Sequence, residues 1–156
     1  MKTEQRVVAR NRRARHDYHV VDTLEAGLVL SGSEIKSIRA GKVSLSGSHA
    51  GFSDSGELYV LGMTVAEYPE ARENHVPNRP RKLLVHAGEL RRLARQVEEK
   101  GMTLIPLDVH FSERGMAKLL LGVCRGKKQF DKRADMAERD SQRRLQAAMK
   151  HGSREQ

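Results

Sequence analysis

Tryptophan is absent from the 156 residues, and Tyr and Phe occur three times each. With aromatics at 4%, the chain is poorly equipped to stack a run of unpaired bases, as single-strand binders do. Cysteine appears once, as Cys124, which excludes an internal disulfide and fits a reducing, cytoplasmic setting. Long apolar runs are missing too. Leu28–Leu30 and Leu119–Leu121 fall far short of the about 20 residues that cross a bilayer. The opening MKTEQRVVARNRRARHDY is basic but has no apolar stretch, so it does not read as a secretory signal. Gly126-Lys127-Lys128 lacks the rest of a phosphate-binding P-loop. No cofactor is expected.

What the chain does have is positive charge, unevenly placed. The formal net charge is +9. Met1–His16 nets +5, Asp17–Cys124 nets −1, and Arg125–Gln156 nets +5. A near-neutral middle between two cationic ends points to a phosphate-bearing partner, because each Lys or Arg contact to phosphate releases counterions. A membrane surface is the competing anion. Against it, neither end has the wide apolar face that interfacial helices need. Arg10, Arg12, Arg13 and Arg15 suit bidentate phosphate contacts. Asn11 among them can read a base edge or a 2′-hydroxyl. Folded RNA, recognised by shape and backbone, therefore fits better than a single strand.

The C-terminal stretch is helix-prone but has no core. Residues Ala134–Lys150 contain neither Gly nor Pro. Asp135/Arg139 and Asp140/Arg144 are favourable i,i+4 pairs, each worth about 0.2–0.5 kcal/mol. Met136 and Leu145 nevertheless point to opposite sides of such a helix. The expectation is a tail that is loose alone and ordered by an anionic partner. The plainer reading is a solvated basic tail that aids solubility.

The middle reads as mainly β. Apolar residues alternate at Val20, Leu24, Ala26, Leu28 and Leu30, with Asp22 the exception. Gly27 suggests a bend or bulge in that strand. Ser31-Gly32-Ser33-Glu34 has capping-box spacing and opens a short helix ending at Gly41. Asp54-Ser55-Gly56 signals a hairpin turn between Ser48–Ser53 and Glu57–Met63. Ala66–Arg81, with three of the four prolines, reads as a long loop. Lys82–His86 is a short strand and Gly88–Lys100 a helix. Thr103–Phe111 and Ala117–Cys124 are strands, with Pro106 forcing the former to an edge or a bulge. About six antiparallel strands with two helices between them fit a small closed barrel; an open α+β sandwich is the alternative.

Catalytic signatures are weak. His16 and His19 are three apart, but no second pair completes a zinc set. A metal-dependent nuclease needs converging carboxylates. Glu34-Ile35-Lys36 offers one acid only, read more simply as a helix cap and a surface charge. Cys124 closes an apolar strand and reads as a buried, inert thiol.

Five segments taken together resemble the SsrA-binding protein, or small protein B, family. They are Asn11–Tyr18 (NRRARHDY), Glu25-Ala26-Gly27, Gly32–Gly41 (GSEIKSIRAG), Arg79–Leu84 (RPRKLL) and Gly126–Arg133 (GKKQFDKR), with Glu138-Arg139 beyond. The resemblance implies an oligonucleotide-binding-type barrel with two or three helices and a basic C-terminal tail. It implies a non-enzymatic, monomeric ribosome-rescue adaptor. Such a protein binds the tRNA-like domain of transfer-messenger RNA and carries it to the A site of a stalled bacterial ribosome. Three parts are expected: a basic arm over 1–16, an RNA-binding barrel over 17–125, and a tail over 126–156. The tail would be disordered alone and helical in the empty mRNA channel.

The family's RNA-contacting positions fall on Asn11, Glu25 and Leu84. Arg13, Arg15, His16, Lys36, Arg81 and Lys82 lie in the matching segments and complete the expected RNA surface. From pattern alone, Glu25 is an outward residue of the barrel wall and Leu84 is core; the resemblance assigns both to RNA. Lys127, Lys128, Asp131, Lys132 and Arg133 match the ribosome-binding tail, joined by Arg139. Phe130 stands where relatives often have His or Tyr, so it can stack but not hydrogen-bond. Met149 is the main apolar group near the end. The alternative function is a general structured-RNA or ribosome-associated barrel protein without a tagging role.

Overall fold

The computed structural model describes residues 6–126 and 142–145, the latter a single helical turn. In chain order the elements are β1 (Arg6–Arg10), α1 (Ala14–Asp17), β2 (Tyr18–Leu28), α2 (Gly32–Arg39), β3 (Val43–Ser44), β4 (His49–Phe52) and β5 (Leu58–Leu61). There follow β6 (Thr64–Val65), β7 (Arg81–Leu84), α3 (Ala87–Lys100), β8 (Thr103–Phe111) and β9 (Ala117–Gly126). Every strand pairing is antiparallel. The main sheet runs β1-β8-β4-β5-β7-β2-β9, and β9 also pairs with β8. Strands β8, β4, β5, β7, β2 and β9 thus form a closed six-stranded ring, as the alternation predicts. β1 lies outside it, on the edge of β8 beyond the point where β4 pairs. β3 and β6 form a separate two-stranded sheet. The residues read as a basic arm are therefore, from Arg6 onward, strand and helix.

Period-two patterning fills the ring. Leu119, Leu121 and Val123 of β9 face inward with no exposure, as do Val60 of β5, Val109 of β8 and Ala26 of β2. Leu93 of α3 and Ile38 of α2 belong to the same core. A second, smaller cluster sits on the outer wall, where Ala14 of α1 packs with Ile105, Leu107 and Cys124. Two bulges make this possible. β8 shifts register between Pro106 and Asp108, so Leu107 is an extra residue, and the bulge expected from Pro106 is present. β2 shifts between Val20 and Asp22, where the alternation breaks, and not at Gly27. Gly27 carries no bulge, since it pairs in register with both Leu84 and Lys118.

α2 starts and stops as its residues dictate. The Ser31 amide donates to Glu34 Oε1 at 2.9 Å, one arm of the capping box. Gly41, at φ +77°, donates to Ile38 O at 2.9 Å, and the Lys42 amide donates to Ser37 O at 3.0 Å. That pair of bonds is a Schellman ending. Glu34, however, is no surface charge. It is fully buried, and both Arg79 and Arg81 donate to it. Arg81 is itself fully buried and also donates to Met63 O at 2.7 Å and Pro77 O at 2.9 Å. Nearby His75 bridges Ser33 Oγ and Val65 O, each at 2.9 Å. These bonds fasten the long proline-bearing loop to α2 and β7.

Burial pushes the Glu34 carboxyl up, but bonds from Arg79, the Ser31 amide and Arg81 outweigh it and hold the group down at about 2. A depressed folded-state value means that the stabilisation is present above the unfolded carboxylate range, near 4.5, and is lost as pH falls toward 2. Glu34→Gln should lower the unfolding free energy by about 3–5 kcal/mol at pH 7, since it leaves Arg81 buried without its counter-charge. Urea titrations at pH 7 and pH 3 should also show the gap between wild type and variant narrowing at the lower pH.

Candidate nucleic-acid interface

Strand register assembles the outer wall into two cross-strand rows. In the first, Arg10 of β1 stands opposite Asp108 of β8, Asp108 opposite Leu120 of β9, and Leu120 opposite Glu25 of β2. In the second, Val7 is opposite His110, His110 opposite Lys118, Lys118 opposite Gly27, and Gly27 opposite Leu84 of β7. Residues two apart in a strand share a face, so both rows lie on the same side of the wall. Residues far apart in sequence thereby meet: Glu25 and Leu84 are diagonal neighbours, and Arg10 leads directly into Asn11.

Asn11 is held at the end of β1. Its backbone amide donates to Leu107 O at 2.8 Å and its Nδ2 to Pro106 O at 2.9 Å. Both acceptors belong to the β8 bulge. With Nδ2 engaged, Asn11 offers a partner its Oδ1, an acceptor for a 2′-hydroxyl or a base amine. Leu84 is 54% exposed, so the pattern-based expectation of a core residue fails. The alternation of β7 buries Arg81 and Leu83 and turns Lys82 and Leu84 outward. A large apolar side chain on a polar wall is a contact surface for a sugar or base face. Glu25 is outward as expected, with its side chain 41% exposed, and accepts from His110 Nε2 at 2.9 Å.

The remaining residues divide. Arg13 precedes α1 as its N-cap and is exposed, as is Arg15 in the helix. His16 Nδ1 lies 2.9 Å from Asp17 Oδ1. Lys36 is exposed on α2, with Nζ 5.4 Å from the centre of the Tyr68 ring. Lys82 Nζ is 3.6 Å from Glu57 Oε1, a surface pair of little energetic weight. Arg81 must be withdrawn from the RNA surface. Its guanidinium is fully buried and engaged by Glu34 and backbone carbonyls. Lys127, Lys128, Phe130, Asp131, Lys132, Arg133, Arg139 and Met149 lie outside the described residues. Pattern reading overlooked Asp108, His110 and Lys118. The i,i+2 spacing of Asp108 and His110 within a strand was the available signal, since it puts both on one face.

An open cleft of about 1050 Å³ adjoins this wall, between the β1–α1 segment and the turn around Ser46–His49. Arg10, Arg12 and Arg13 line one side of it. Among the described residues no His, Cys, Asp and Glu group could hold a metal ion, and no helix is long and apolar enough to cross a membrane.

A closed antiparallel barrel with a cationic flank and a mixed polar and apolar wall is, as a class, a small binding module. Comparison with known proteins narrows the class. The family model described as "SmpB protein" matches residues 8–151, and the chain belongs to that family. It is 49% identical over 154 residues to an SsrA-binding protein of Acetivibrio thermocellus, covering 98% of this chain and 99% of that one. It is 54% identical over 129 residues to the SsrA-binding protein of Thermus thermophilus, covering 82% and 89%. A solved chain described as "tmRNA-SmpB: a journey to the center of the bacterial ribosome" is 55% identical, with a TM-score of 0.63, over 77% of this chain and 84% of that chain.

The outer-wall cluster also governs the thiol. Burial pushes Cys124 up to about 11, against a smaller lowering by Arg15. At pH 8 an aromatic disulfide reagent should leave native protein unmodified over minutes and titrate one thiol at once in denaturant. Rapid labelling of the native form would contradict the burial.

Proposed function

We propose that this protein is a trans-translation adaptor. It holds the tRNA-like domain of transfer-messenger RNA on the barrel wall and brings it to the A site of stalled bacterial ribosomes. The observation that carries the reading is the meeting of Glu25 and Leu84 on one face of the wall, with Asn11 fastened to the β8 bulge at its border, three positions widely separated in sequence. Their chemistry suits RNA recognised by shape: Oδ1 and a carboxylate as acceptors for 2′-hydroxyls and base amines, and a leucine for a ring or sugar face. Arg10, Arg13, Arg15, Lys82 and Lys118 supply cationic groups around them. In this reading the barrel is of the oligonucleotide-binding type, and the protein works as a cytoplasmic monomer without catalysis of its own.

The C-terminal residues take a second role. A basic, helix-prone segment and an mRNA strand cannot share one tunnel, so the tail tests whether the channel is empty. Lys132 and Arg133 meet ribosomal RNA phosphates, and Phe130 stacks where relatives carry His or Tyr. If Ala134–Lys150 is wholly helical it reaches about 25 Å at 1.5 Å per residue.

The two roles separate by mutation. Deleting Phe130–Gln156 should leave affinity for transfer-messenger RNA within about twofold, yet abolish peptide tagging on stalled ribosomes. Leu84→Ala and Glu25→Ala should act first on RNA affinity, each by roughly tenfold, the loss of about 1.4 kcal/mol of contact. Filter binding and a reconstituted tagging assay read the two separately. Equal loss of both activities on tail deletion would overturn the division. Binding of ordinary tRNA as tightly as transfer-messenger RNA would favour a general structured-RNA binder.

A further inference from the structure

The outer wall holds a linear relay of Asp108, His110 and Glu25. His110 is buried, its side chain only 3% exposed. Its Nδ1 lies 2.7 Å from Asp108 Oδ1 and its Nε2 lies 2.9 Å from Glu25 Oε2. Asp108 and His110 are on β8, whereas Glu25 is on β2. Those strands are not neighbours here; β9 runs between them, with Leu120 opposite Glu25 and Lys118 opposite His110. The ring therefore reaches across a strand to hold a side chain about two inter-strand spacings away, some 9–10 Å. Its carboxylate partners sit on opposite nitrogens, so the three groups do not converge on a point and form no metal site. A carboxylate oxygen accepts, so the contact with Glu25 is a hydrogen bond where Nε2 carries the proton.

Resting on the reading that Glu25 contacts RNA, we propose that His110 is the positioning residue for that contact. Anchored by Asp108, it holds the Glu25 carboxylate in the orientation that meets a 2′-hydroxyl or base amine of the tRNA-like domain. A free glutamate on a β surface samples several rotamers, and freezing one on binding weakens the complex. Here the freezing is done before RNA arrives. The bond to His110 does not exhaust Glu25 as an acceptor, since a carboxylate has about four lone-pair sites.

Amide substitutions separate the two ends of the ring. The Gln side-chain amide lies near the position of histidine Nε2, so His110→Gln keeps a donor toward Glu25 and gives up Asp108. The Asn amide lies near Nδ1, so His110→Asn keeps Asp108 and gives up Glu25. His110→Phe fills the volume and donates to neither. Affinity for the tRNA-like domain of transfer-messenger RNA is measured by filter binding with full-length protein, beside each variant's melting temperature. The expected result is that His110→Gln binds within about twofold of wild type, while His110→Asn and His110→Phe bind about five- to tenfold more weakly. Should His110→Asn fail to fold, the Phe and Gln pair carries the same comparison. Wild-type affinity in all three, or equal weakening of Gln with Asn and Phe, overturns the proposal. Glu25→Gln and Glu25→Ala, run alongside, keep the two ideas apart. If both bind as wild type, the RNA role of Glu25 itself fails. If both weaken while the His110 set is flat, only the positioning role fails.

Discussion

The pairing of β8 with β9 closes the sheet, and the other features of the wall depend on it. Six strands joined only in series would leave two open borders. The β8–β9 ladder joins those borders, so the six strands of the ring find partners on both sides without recruiting another chain. Closure also imposes curvature. A bulge at Leu107 in β8 and another at Val21 in β2 absorb it, one on each flank of β9. Each bulge then carries a further task. The first presents Pro106 O and Leu107 O to Asn11, which fastens the end of β1. It also turns Leu107 outward to pack with Cys124 and Ala14. The irregularities that make closure possible thus build the second small core and the turn that carries Asn11.

Two groups of charges are taken out of water, in different ways. On one side Glu34, Arg79 and Arg81 tie α2 to the proline-bearing loop and to β7. Desolvation works against that carboxylate, and the guanidinium bonds win, which is why its acidity is enhanced and not suppressed. On the wall, His110 lies between two carboxylates that each keep some contact with solvent. In the first group Glu34 and Arg81 are fully buried, with the partly exposed Arg79 laid over them, and its role is architectural. The second has one end open to a partner. Burial, more than residue type, separates a charge that shapes the fold from one that meets a ligand, and the contrast between Arg81 and Lys82, adjacent in one strand, makes the point in a single peptide bond.

Much of this was legible in the residues. The boundaries of β8 are legible, because alternation from Ile105 to Phe111 is strict and Gly101 and Ser112 punctuate it. The capping box at Ser31 and the glycine ending at Gly41 are legible too, since both follow local bonding rules. Non-local facts were not legible. Glu34 looks like a surface acid because a cap needs only its own turn; its arginine partners are about 45 residues away. Leu84 looks like core because it is leucine beside leucine, and only the parity of a four-residue strand turns it out. β1 was hidden inside a basic stretch, where Val7, Val8 and Ala9 are too few to announce a strand. Arg81 looks like an exposed cation because, in a run such as Arg-Pro-Arg-Lys, charge alone cannot say which member points inward.

β1 is the outermost member of the main sheet. It is five residues long, it is bulged at Val8, and arginines stand at both of its ends. The guanidinium of Arg6 is drawn back to Arg39 O at 3.0 Å. Shortness, a kink and terminal charge are what discourage a foreign strand from adding to an open border. The margin nearest the proposed ligand is thereby guarded against accretion of like chains, so a protein that must meet RNA in a crowded cell does not polymerise along it.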